Sequence, residues 1–459
     1  MSVGRSGIAV GAGFAASGAL LLMDRHELAF TGFLLSFGAF CFQTEISLNW
    51  QIGLGSLLGI GFGLWLGDAS GIMGTLGGIF ISALKMLIAP MVLLSIVVGI
   101  GRMGDARELG VLGARTVALY LLTMLLAVIT GLVIVNLVQP GTDSDLLQSD
   151  FFRQAVGSSP DPIEQPRPLG QFLLITVYEV LANPFASIAA GKILPIVVFA
   201  ILLGVSLLQI GSAAQPLLDV LGSGYVAVMR IIGWVILIAP VGIAVLLGNL
   251  IATIGFRDLI DNLLAFALVV IAGILVHAAV TLPLVALLVA RVYPLELFRG
   301  IREAMAVAFT TSSSTATLPV TTRCVETNLG VPARVSSFVL PLGATVNMDG
   351  TALYEAIAAV FVAAIYGIEL SLGTQLVIVF VAMATAIGAP GIPSAGMVTM
   401  VAVLQSVGLP VEAVAILITI DRFLDTFRTM ANVEGDAVVA VCVARTTEPA
   451  QSPYPQAAR

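Results

Sequence analysis

The chain has 459 residues, of which 58% are hydrophobic and 10% are charged, and its mean hydropathy is +1.07. A soluble domain of this length does not tolerate such a composition, so the chain is predicted to cross a membrane several times. The formal net charge of −7 offers no basic surface for nucleic acid, and three scattered cysteines and two histidines make neither a disulfide framework nor a metal motif.

Eight apolar stretches are long enough to span a bilayer, for which roughly 20 helical residues are needed. They cover residues 51–67, 79–100, 116–138, 193–210, 224–253, 259–291, 335–366 and 411–443. The period-two alternation of strands is absent, so we predict an all-α polytopic membrane protein rather than a barrel. Before these stretches, residues 1–45 contain two shorter apolar runs, 7–23 and 28–42, which form either a hairpin or an extra helix pair.

The distribution of arginine predicts the orientation. Arginines cluster after the second and the sixth apolar stretches, at positions 102, 107 and 115 and at positions 291, 299 and 302, whereas residues 140–170 are rich in Asp, Pro and Ser. Cytoplasmic loops carry an excess of Lys and Arg, so both arginine clusters are predicted to be cytoplasmic and the 140–170 linker external.

Two further apolar segments, 304–328 and 375–407, are interrupted in the middle. The first interruption, Thr310–Pro319, is a run of serines and threonines, and the second, Gly388–Gly396, contains three glycines and two prolines. Each segment fits a re-entrant hairpin whose tip exposes backbone groups near the bilayer midplane. A pair of kinked spans with small residues at helix contacts is the alternative.

The repetition of this unit favours the hairpins. Each interrupted segment is followed by a long helix that carries an Asn-x-acid-Gly string, Asn347–Gly350 in one case and Asn432–Gly435 in the other. Such strings unwind a helix and free backbone carbonyls, and a nearby carboxylate then completes an oxygen cage for a small cation. A repeated hairpin and helix with polar breaks is typical of the substrate site of a secondary transporter.

The last apolar stretch carries the densest group of polar residues at membrane depth. Positions 425, 428, 429, 432 and 436 step by three or four, so they share one side of a helix. A charge at the bilayer centre costs about 2.5–3.5 kcal/mol on insertion scales, which predicts a polar cavity, mutual pairing or bound ions here. For any single acid, a buried structural ion pair is the alternative.

Four strings in this order resemble the dicarboxylate/amino-acid:cation symporter family, to which the excitatory amino-acid (glutamate) transporters belong. The strings are SSSTATLP at Ser312–Pro319, LPLGATVNMDGTALY at Leu340–Tyr354, IGAPGIPSAGMVTM at Ile387–Met400 and DRFLDTFRTMANVEGD at Asp421–Asp436. The resemblance extends from about Ile46 to Arg445. It implies eight transmembrane helices and two opposed re-entrant hairpins, arranged as inverted repeats in a homotrimer whose transport domains move like elevators past a fixed scaffold.

The resemblance also implies a domain division. It consists of an N-terminal extension over 1–45, three membrane helices over 46–138, an extracellular loop over 139–170, scaffold and trimerisation helices over 171–257, a transport-domain core over 258–445 and a disordered tail over 446–459. Within the core, the resemblance places the hairpins at about 300–328 and 371–408.

The function implied by the resemblance is secondary active symport rather than enzymatic catalysis. The chain is expected to take up aspartate or glutamate with sodium across the plasma (inner) membrane, without an organic cofactor, and its partners are the substrate, membrane lipid and further copies of itself. Two alternatives stay open, a C4-dicarboxylate symporter for succinate, fumarate or malate and a passive anion-conducting channel. An intramembrane hydrolase using Ser314 would lack a nearby base.

By resemblance, Arg428 pairs with the side-chain carboxylate of the substrate, for which a planar guanidinium is suited, and Asp425 binds the α-amino group. Thr429 and Asn432 match donors to the α-carboxylate, and Thr351 matches a hydroxyl near the side-chain carboxylate. The hairpin tips supply the remaining contacts, from Ser312, Ser313, Ser314, Ile392 and Gly396. A C4-dicarboxylate has no ammonium group and would face Asp425 unpaired, which favours an acidic amino acid.

The sodium ligands implied by the resemblance fall into three sets. These are Asp436, Asn432, Gly343 and Asn347; then Asp349, Tyr120 and Thr123; and finally Thr345 and Met348 with the backbone near Ala386–Ala389. Carboxylate, carbonyl and hydroxyl oxygens are the ligands that a hard cation prefers. Met124 and Ala389 stand where some relatives have side-chain oxygens, so the number of sodium ions stays open.

Glu355 is the candidate for a coupled proton. It lies on the same helical side as Thr351 and Asn347 and matches the glutamate that carries a proton in the mammalian branch of the family. Burial favours the neutral form of a carboxyl group, so we expect H⁺ as a second coupling ion. A neutral acid that stays hydrogen-bonded in place is the alternative.

Arg422 is a departure from the family pattern. Some relatives carry an extra arginine at the position of Ser312 or of Thr426, and in this chain the arginine precedes Thr426 by one turn. Arg422 either balances the charge of Asp425 or pairs with Asp421, and the pair with Asp421 is the preferred interpretation because an arginine at that depth needs a partner.

Overall fold

The computed structural model describes residues 26–43, 46, 48–66, 71–101, 111–141, 177–178, 181–190, 192–387, 389 and 396–447. The regular elements within these ranges are all helical. In chain order the α-helices longer than one turn are α1 (His26–Gln43), α2 (Leu48–Leu66), α3 (Gly71–Gly101), α4 (Val111–Val138), α5 (Pro184–Ala190), α6 (Ile193–Ile210), α7 (Gln215–Leu237), α8 (Ala239–Ile254), α9 (Phe256–Val276), α10 (Pro294–Thr311), α11 (Ser314–Leu329), α12 (Ala333–Val346), α13 (Asp349–Ile365), α14 (Leu372–Ile387), α15 (Gly396–Ser406) and α16 (Val414–Thr447).

Several helices are long and apolar enough to cross a bilayer. Within the described ranges these are Met73–Gly101, Val111–Val138, Ile193–Leu237, Leu259–Ala290 and Ala333–Ile365. They correspond to apolar stretches predicted from the sequence, and the chain is accordingly a helical membrane protein that crosses the bilayer several times. The predicted stretch 411–443 is also helical, as the greater part of α16, although its charges set it apart from an ordinary span.

The N-terminal helices pack closely because glycines line one of them. Helix α2 lies against α8, and a Cβ at Gly59 would come within 2.5 Å of the Ala244 carbonyl oxygen. The same close approach occurs one turn to either side, where Gly55 faces Pro240 and Gly63 faces Gly248. Small residues spaced by four let membrane helices approach to backbone distance, so packing rather than hydrophobic burial holds this pair together.

The helices fall into two packed groups. One consists of α2, α3, α6, α7 and α8, and the other of α4 together with α9–α16. Helix α4 packs on α13, α16 and α9 although it lies in the first third of the chain. An ion pair between Lys85 Nζ on α3 and Glu412 Oε1 before α16, 2.8 Å long, joins the two groups. The domain boundaries expected from the sequence stay a prediction.

The second group contains a helical hairpin with a tight tip. Helices α10 and α11 pack along each other, and only Ser312 and Ser313 separate them. Ser312 adopts a left-handed conformation with φ 50°, and the Ser313 hydroxyl accepts a hydrogen bond from the Ala316 amide at 3.1 Å. This serine cap satisfies one of the free amides at the start of α11. Helices α14 and α15 form a similar pair, of whose connection Ala389 is described.

The two Asn-x-acid-Gly strings differ in backbone conformation. The first string interrupts the helix, because α12 ends at Val346 and α13 begins at Asp349. The second, Asn432–Gly435, lies inside the uninterrupted helix α16. The expectation that both strings unwind their helices is therefore wrong for the second one. Its asparagine still makes a polar contact, but it does so through the side chain, so no backbone break is needed.

Candidate functional site

The hairpin tip, the break between α12 and α13 and the middle of α16 meet inside the second group. Helix α13 is the centre of this group, since nearly all of its side chains are buried. Most of the residues predicted from the sequence to bind substrate or ions at these three places are buried as well. They include Ser312, Ser313, Ser314, Asn347, Met348, Asp349, Thr351, Glu355, Asp425, Arg428, Thr429, Asn432 and Asp436.

Two arginines and two aspartates from α16 form a compact charge cluster. Arg428 Nη2 lies 3.0 Å from Asp421 Oδ1 and donates to Asp425 Oδ1 at 2.8 Å. Arg422 Nη1 donates to the other oxygen of Asp425, Oδ2, at 3.0 Å. The preferred sequence interpretation, in which Arg422 pairs with Asp421, is therefore wrong. Asp421 lies beside Arg428 instead, so the nearest oxygen left to Arg422 is on Asp425, one turn along the helix.

Arg428 is fully buried, and two donor atoms of its guanidinium are available to a ligand. Its Nε and Nη1 atoms have no hydrogen-bond partner among the described residues. The guanidinium carbon lies 4.2 Å from the centre of the Tyr354 ring, a cation–π contact that fixes its plane. Gly396 approaches so closely that a Cβ there would lie 2.9 Å from Nη1. Two buried charged donors without acceptors indicate a site for an anionic group.

Asn432 links this cluster to the break before α13. Its Oδ1 accepts a hydrogen bond from the Gly350 amide at 2.7 Å, and its Nδ2 lies 3.5 Å from Thr351 Oγ1 and 3.3 Å from Met348 Sδ. Because Gly350 has no side chain, its backbone can lie directly against that of Arg428. The structure thus brings Asn432 and Thr351 together beside Arg428, as the sequence predicts, with Thr429 buried on the same helix.

A second cluster contains residues that are predicted to bind cations, and it surrounds the side chain of Asn347. Asn347 Nδ2 donates to Asp436 Oδ1 at 3.2 Å, and Asn347 Oδ1 accepts from Thr123 Oγ1 at 3.2 Å. Asp436 Oδ1 and the Tyr120 hydroxyl both lie close to Gly343, within 2.4 Å of where a Cβ would be. A buried carboxylate held mainly by neutral groups favours a bound cation.

Asp349 is the second buried acid of this region. Its Oδ2 lies 3.4 Å from His277 Nε2, neither side chain is exposed, and its Oδ1 has no hydrogen-bond partner among the described residues. Within the same ranges, no cluster of three or more His, Cys, Asp or Glu side chains is arranged to hold a metal ion. A cation here would therefore rely on amide, hydroxyl and carbonyl oxygens beside Asp349 and Asp436, which suits a hard ion.

One predicted ligand is not brought to either cluster, and another cannot be placed. Thr345 is exposed, and its hydroxyl donates to the Leu342 carbonyl of its own helix at 3.0 Å. Ile392 lies outside the described residues. Ala386 and Ala389 are buried, and their backbones are joined by a hydrogen bond of 3.1 Å. The cation set that included Thr345 and Met348 thus stays a prediction.

Glu355 lies one turn beyond Thr351 on α13 and has no exposed surface. Its Oε2 accepts a hydrogen bond of 3.2 Å from Thr385 Oγ1 on α14, whereas Oε1 has no partner among the described residues. The side chain therefore connects α13 to the second helix pair.

Three further residues of these clusters were not assigned a role from the sequence. His277 begins a π-helical turn, His277–Thr281, that continues α9, and its imidazole lies beside Asp349. The sequence signal for such a residue is weak, since a lone histidine in an apolar helix predicts only packing or hydrogen bonding. Tyr354 and Glu434 are also buried, and both oxygens of Glu434 lack partners among the described residues.

Comparison with known proteins assigns the chain to a family. The model of the sodium:dicarboxylate symporter family matches residues 48–446. The chain is 35% identical over 428 residues to excitatory amino acid transporter 4 of Mus musculus, covering 80% of this chain and 76% of that protein. It is 34% identical over 402 residues to excitatory amino acid transporter 3 of Homo sapiens, covering 79% and 76%. An excitatory amino acid transporter of Caenorhabditis elegans is 33% identical over 404 residues, covering 79% of each chain.

The family match spans both charge clusters and every described helix from α2 to α16, and the resemblance read from the four sequence strings is confirmed. The chain belongs to the sodium:dicarboxylate symporter family.

Proposed function

We propose that the chain is a secondary active symporter that takes up aspartate or glutamate together with sodium. The observation that carries the proposal is the guanidinium of Arg428, which is fully buried and has two donors without partners among the described residues. A carboxylate of the substrate would accept a charge-assisted hydrogen bond from one of these donors, whose directions the planar guanidinium fixes. Asp425, within hydrogen-bond distance of the same guanidinium, would bind the substrate ammonium.

Sodium would be held by the second cluster. Asp436 and Asp349 supply carboxylates, and Asn347, Thr123 and Tyr120 supply neutral oxygens around them. Asn432 connects this cluster to the substrate residues through Gly350, so ions that order the break before α13 also order the substrate site. Coupling between ion and substrate then follows from their shared need for the same ordered element.

The movement that we propose is of the elevator type. The two helix groups, joined by the Lys85–Glu412 pair and helix packing, suit a fixed scaffold and a mobile transport domain. The pairs α10–α11 and α14–α15 would be re-entrant hairpins, which with eight transmembrane helices complete the protomer of a homotrimer in the plasma membrane. Glu355, at the contact with α14, would carry a coupled proton.

The test is uptake of labelled aspartate and glutamate into proteoliposomes that contain the purified chain. An inward sodium gradient is expected to drive accumulation above the external concentration, and replacement of sodium by choline is expected to abolish it. Separate proton and potassium gradients, imposed without sodium, test the other coupling ions. Flux that equilibrates without accumulation would support the anion channel instead and contradict the proposal.

A second candidate, symport of C4-dicarboxylates such as succinate, is favoured by one observation. Asp425 is not unpaired in this chain, because Arg422 already donates to its Oδ2 at 3.0 Å. The electrostatic objection to a substrate without an ammonium group is therefore weaker than the sequence suggests.

A further inference from the structure

The two oxygens of Asp425 are held by two different arginines. Arg428 Nη2 donates to Oδ1 at 2.8 Å and Arg422 Nη1 donates to Oδ2 at 3.0 Å. Arg428 Nη2 is also 3.0 Å from Asp421, so that single group is shared between two carboxylates. The side chain of Arg422, only 16% exposed, is the second positive charge that balances the pair of aspartates. Two arginines and two aspartates leave the cluster neutral.

Arg422 occupies the place that a substrate ammonium would take on Asp425. An ammonium group needs an oxygen of Asp425, and the oxygen not shared with Arg428 is the one bound by Arg422. An amino acid must therefore displace Arg422 or share Oδ2 with it. A substrate without an amino group makes no such demand, and it meets a carboxylate that is already neutralised.

A cavity provides room for the displaced guanidinium. Arg422 lines a cavity of about 300 Å³ between α16, the hairpin tip at Ser312 and helix α2. The Ser312 hydroxyl is buried and has no hydrogen-bond partner among the described residues, while Ser56, Thr310, Thr419 and Thr426 add further hydroxyl groups to the walls. A guanidinium that leaves Asp425 would find acceptors there, so displacement does not strand a buried charge.

We propose that Arg422 determines whether a substrate needs an ammonium group, because it stands in for that group on Asp425 and lets one site accept both acidic amino acids and C4-dicarboxylates. The inference rests on the proposed function, since it assumes that the Arg428 cluster binds substrate. With aspartate, Arg422 moves toward the cavity and the substrate ammonium replaces it. With succinate, Arg422 keeps its contact with Asp425.

The experiment compares sodium-driven uptake of labelled aspartate and succinate by the full chain in proteoliposomes. Wild type is expected to transport both. Arg422→Gln is expected to lower the ratio of succinate to aspartate uptake efficiency by about tenfold or more, since it leaves Asp425 without its second cation when no ammonium is present. Arg422→Lys keeps the charge and is expected to stay within about threefold of the wild-type ratio. Arg257→Gln, which removes a 93% exposed arginine, is the matched control.

A ratio distinguishes this role from a structural one, because misfolding lowers uptake of both substrates equally. In the Asp425→Asn background the effect of Arg422→Gln on succinate is expected to disappear, since the charge that Arg422 neutralises has been removed. If a variant purifies poorly, the shifts of its unfolding temperature by succinate and by aspartate give the same comparison for binding.

Three results would overturn the inference. The first is a wild-type protein that accumulates aspartate but neither binds nor transports succinate at millimolar concentration. The second is an Arg422→Gln variant whose ratio of succinate to aspartate uptake is unchanged. An undiminished effect of Arg422→Gln in the Asp425→Asn background would show that Arg422 acts elsewhere. Failure to transport either substrate would instead overturn the proposed function, and the inference with it.

Discussion

At the scale of single residues, the two arginines of the Arg428 cluster balance its two aspartates. Arg428 offsets Asp421 and Asp425 through Nη2, and in the described part of the chain its Nε and Nη1 have no hydrogen-bond partner. Breaking a buried ion pair costs about 3–5 kcal/mol, whereas a hydrogen bond to a charged group contributes about 1.5–3 kcal/mol. Removing the charge of Arg428 would therefore damage the fold as well as the site, so a variant that keeps the charge tests binding more cleanly.

Arg428→Lys is expected to weaken aspartate binding by about a hundredfold, or about 2.8 kcal/mol, because lysine lacks the planar fork that can hold a carboxylate through two donors. The measurement is the aspartate concentration for half-maximal sodium-driven uptake. Arg323→Lys, an exposed arginine paired with Glu303, is the control and should behave like wild type. A half-saturating concentration within threefold of wild type would contradict the role given to Arg428.

Glu355→Gln is expected to abolish the pH dependence of uptake. In the wild-type protein, uptake should fall as the external pH is raised, because fewer Glu355 side chains carry a proton when the outer site loads. Glutamine imitates the neutral acid at the Thr385 contact and cannot release a proton. The measurement is initial uptake between pH 5 and 9 at a fixed sodium gradient. Glu369 is an exposed acid beyond the end of α13, and Glu369→Gln should leave the pH profile of uptake unchanged. A wild-type pH profile in Glu355→Gln would exclude proton coupling through Glu355.

At the scale of helices, periodicity and breaker residues predict where elements lie more reliably than what they pack against. A run of hydroxyl residues correctly marks the connection between α10 and α11, and an Asn-x-acid-Gly string correctly marks the break before α13, whereas Pro319 and Pro341 lie inside helices. These signals do not predict that Asn432–Gly435 stays helical, because a helix tolerates glycine when its neighbours are packed. The partner of α4 is also unpredictable from periodicity, since contact with α13 joins segments more than 200 residues apart.

Alanine at Gly59 is expected to destabilise the protein by about 1–3 kcal/mol, the usual cost of overpacking. Its Cβ would approach the Ala244 carbonyl oxygen to 2.5 Å, closer than α2 and α8 can tolerate without moving apart. Gly61→Ala is the matched control on the same helix, because nothing lies within 4 Å of a Cβ there. That variant should gain up to about 1 kcal/mol from helix propensity. Thermal unfolding in detergent measures both, and equal unfolding temperatures would mean that α2 and α8 do not depend on the glycine contact.

At the scale of the whole molecule, the substrate and cation clusters share the segment between α12 and α13. Asn347 faces Asp436 and Thr123 on one side, and Gly350 is held by Asn432 on the other. Ordering this short segment serves both clusters, so each ligand should raise the affinity for the other by the same factor. Thermodynamic linkage makes this reciprocity a strict requirement for the proposed coupling.

Sodium is expected to raise aspartate affinity at least about tenfold over choline, and saturating aspartate should raise sodium affinity by the same factor. Asp436→Asn removes a buried carboxylate of the cation cluster while keeping its shape, and it should abolish most of this coupling. Calorimetric titration of the purified protein measures both affinities. Asp261→Asn, at an exposed acid on α9, is the control. Equal aspartate affinity in sodium and choline, or unchanged coupling in Asp436→Asn, would contradict the assignment.

Composition and spacing by themselves determine that this chain is a helical membrane protein with two interrupted segments and a polar side on its last helix. Those features depend on local backbone propensity and on the cost of placing charges in lipid, and both follow from residues that are close in sequence.

The tertiary structure decides which side chains pair with each other. Arg422 can reach Asp421 or Asp425, and only the position of Arg428 settles the pairing on Asp425. His277 lies 3.4 Å from Asp349, which is 72 residues further along the chain. Such pairings depend on which helices pack together, and that is a property of the whole assembled molecule.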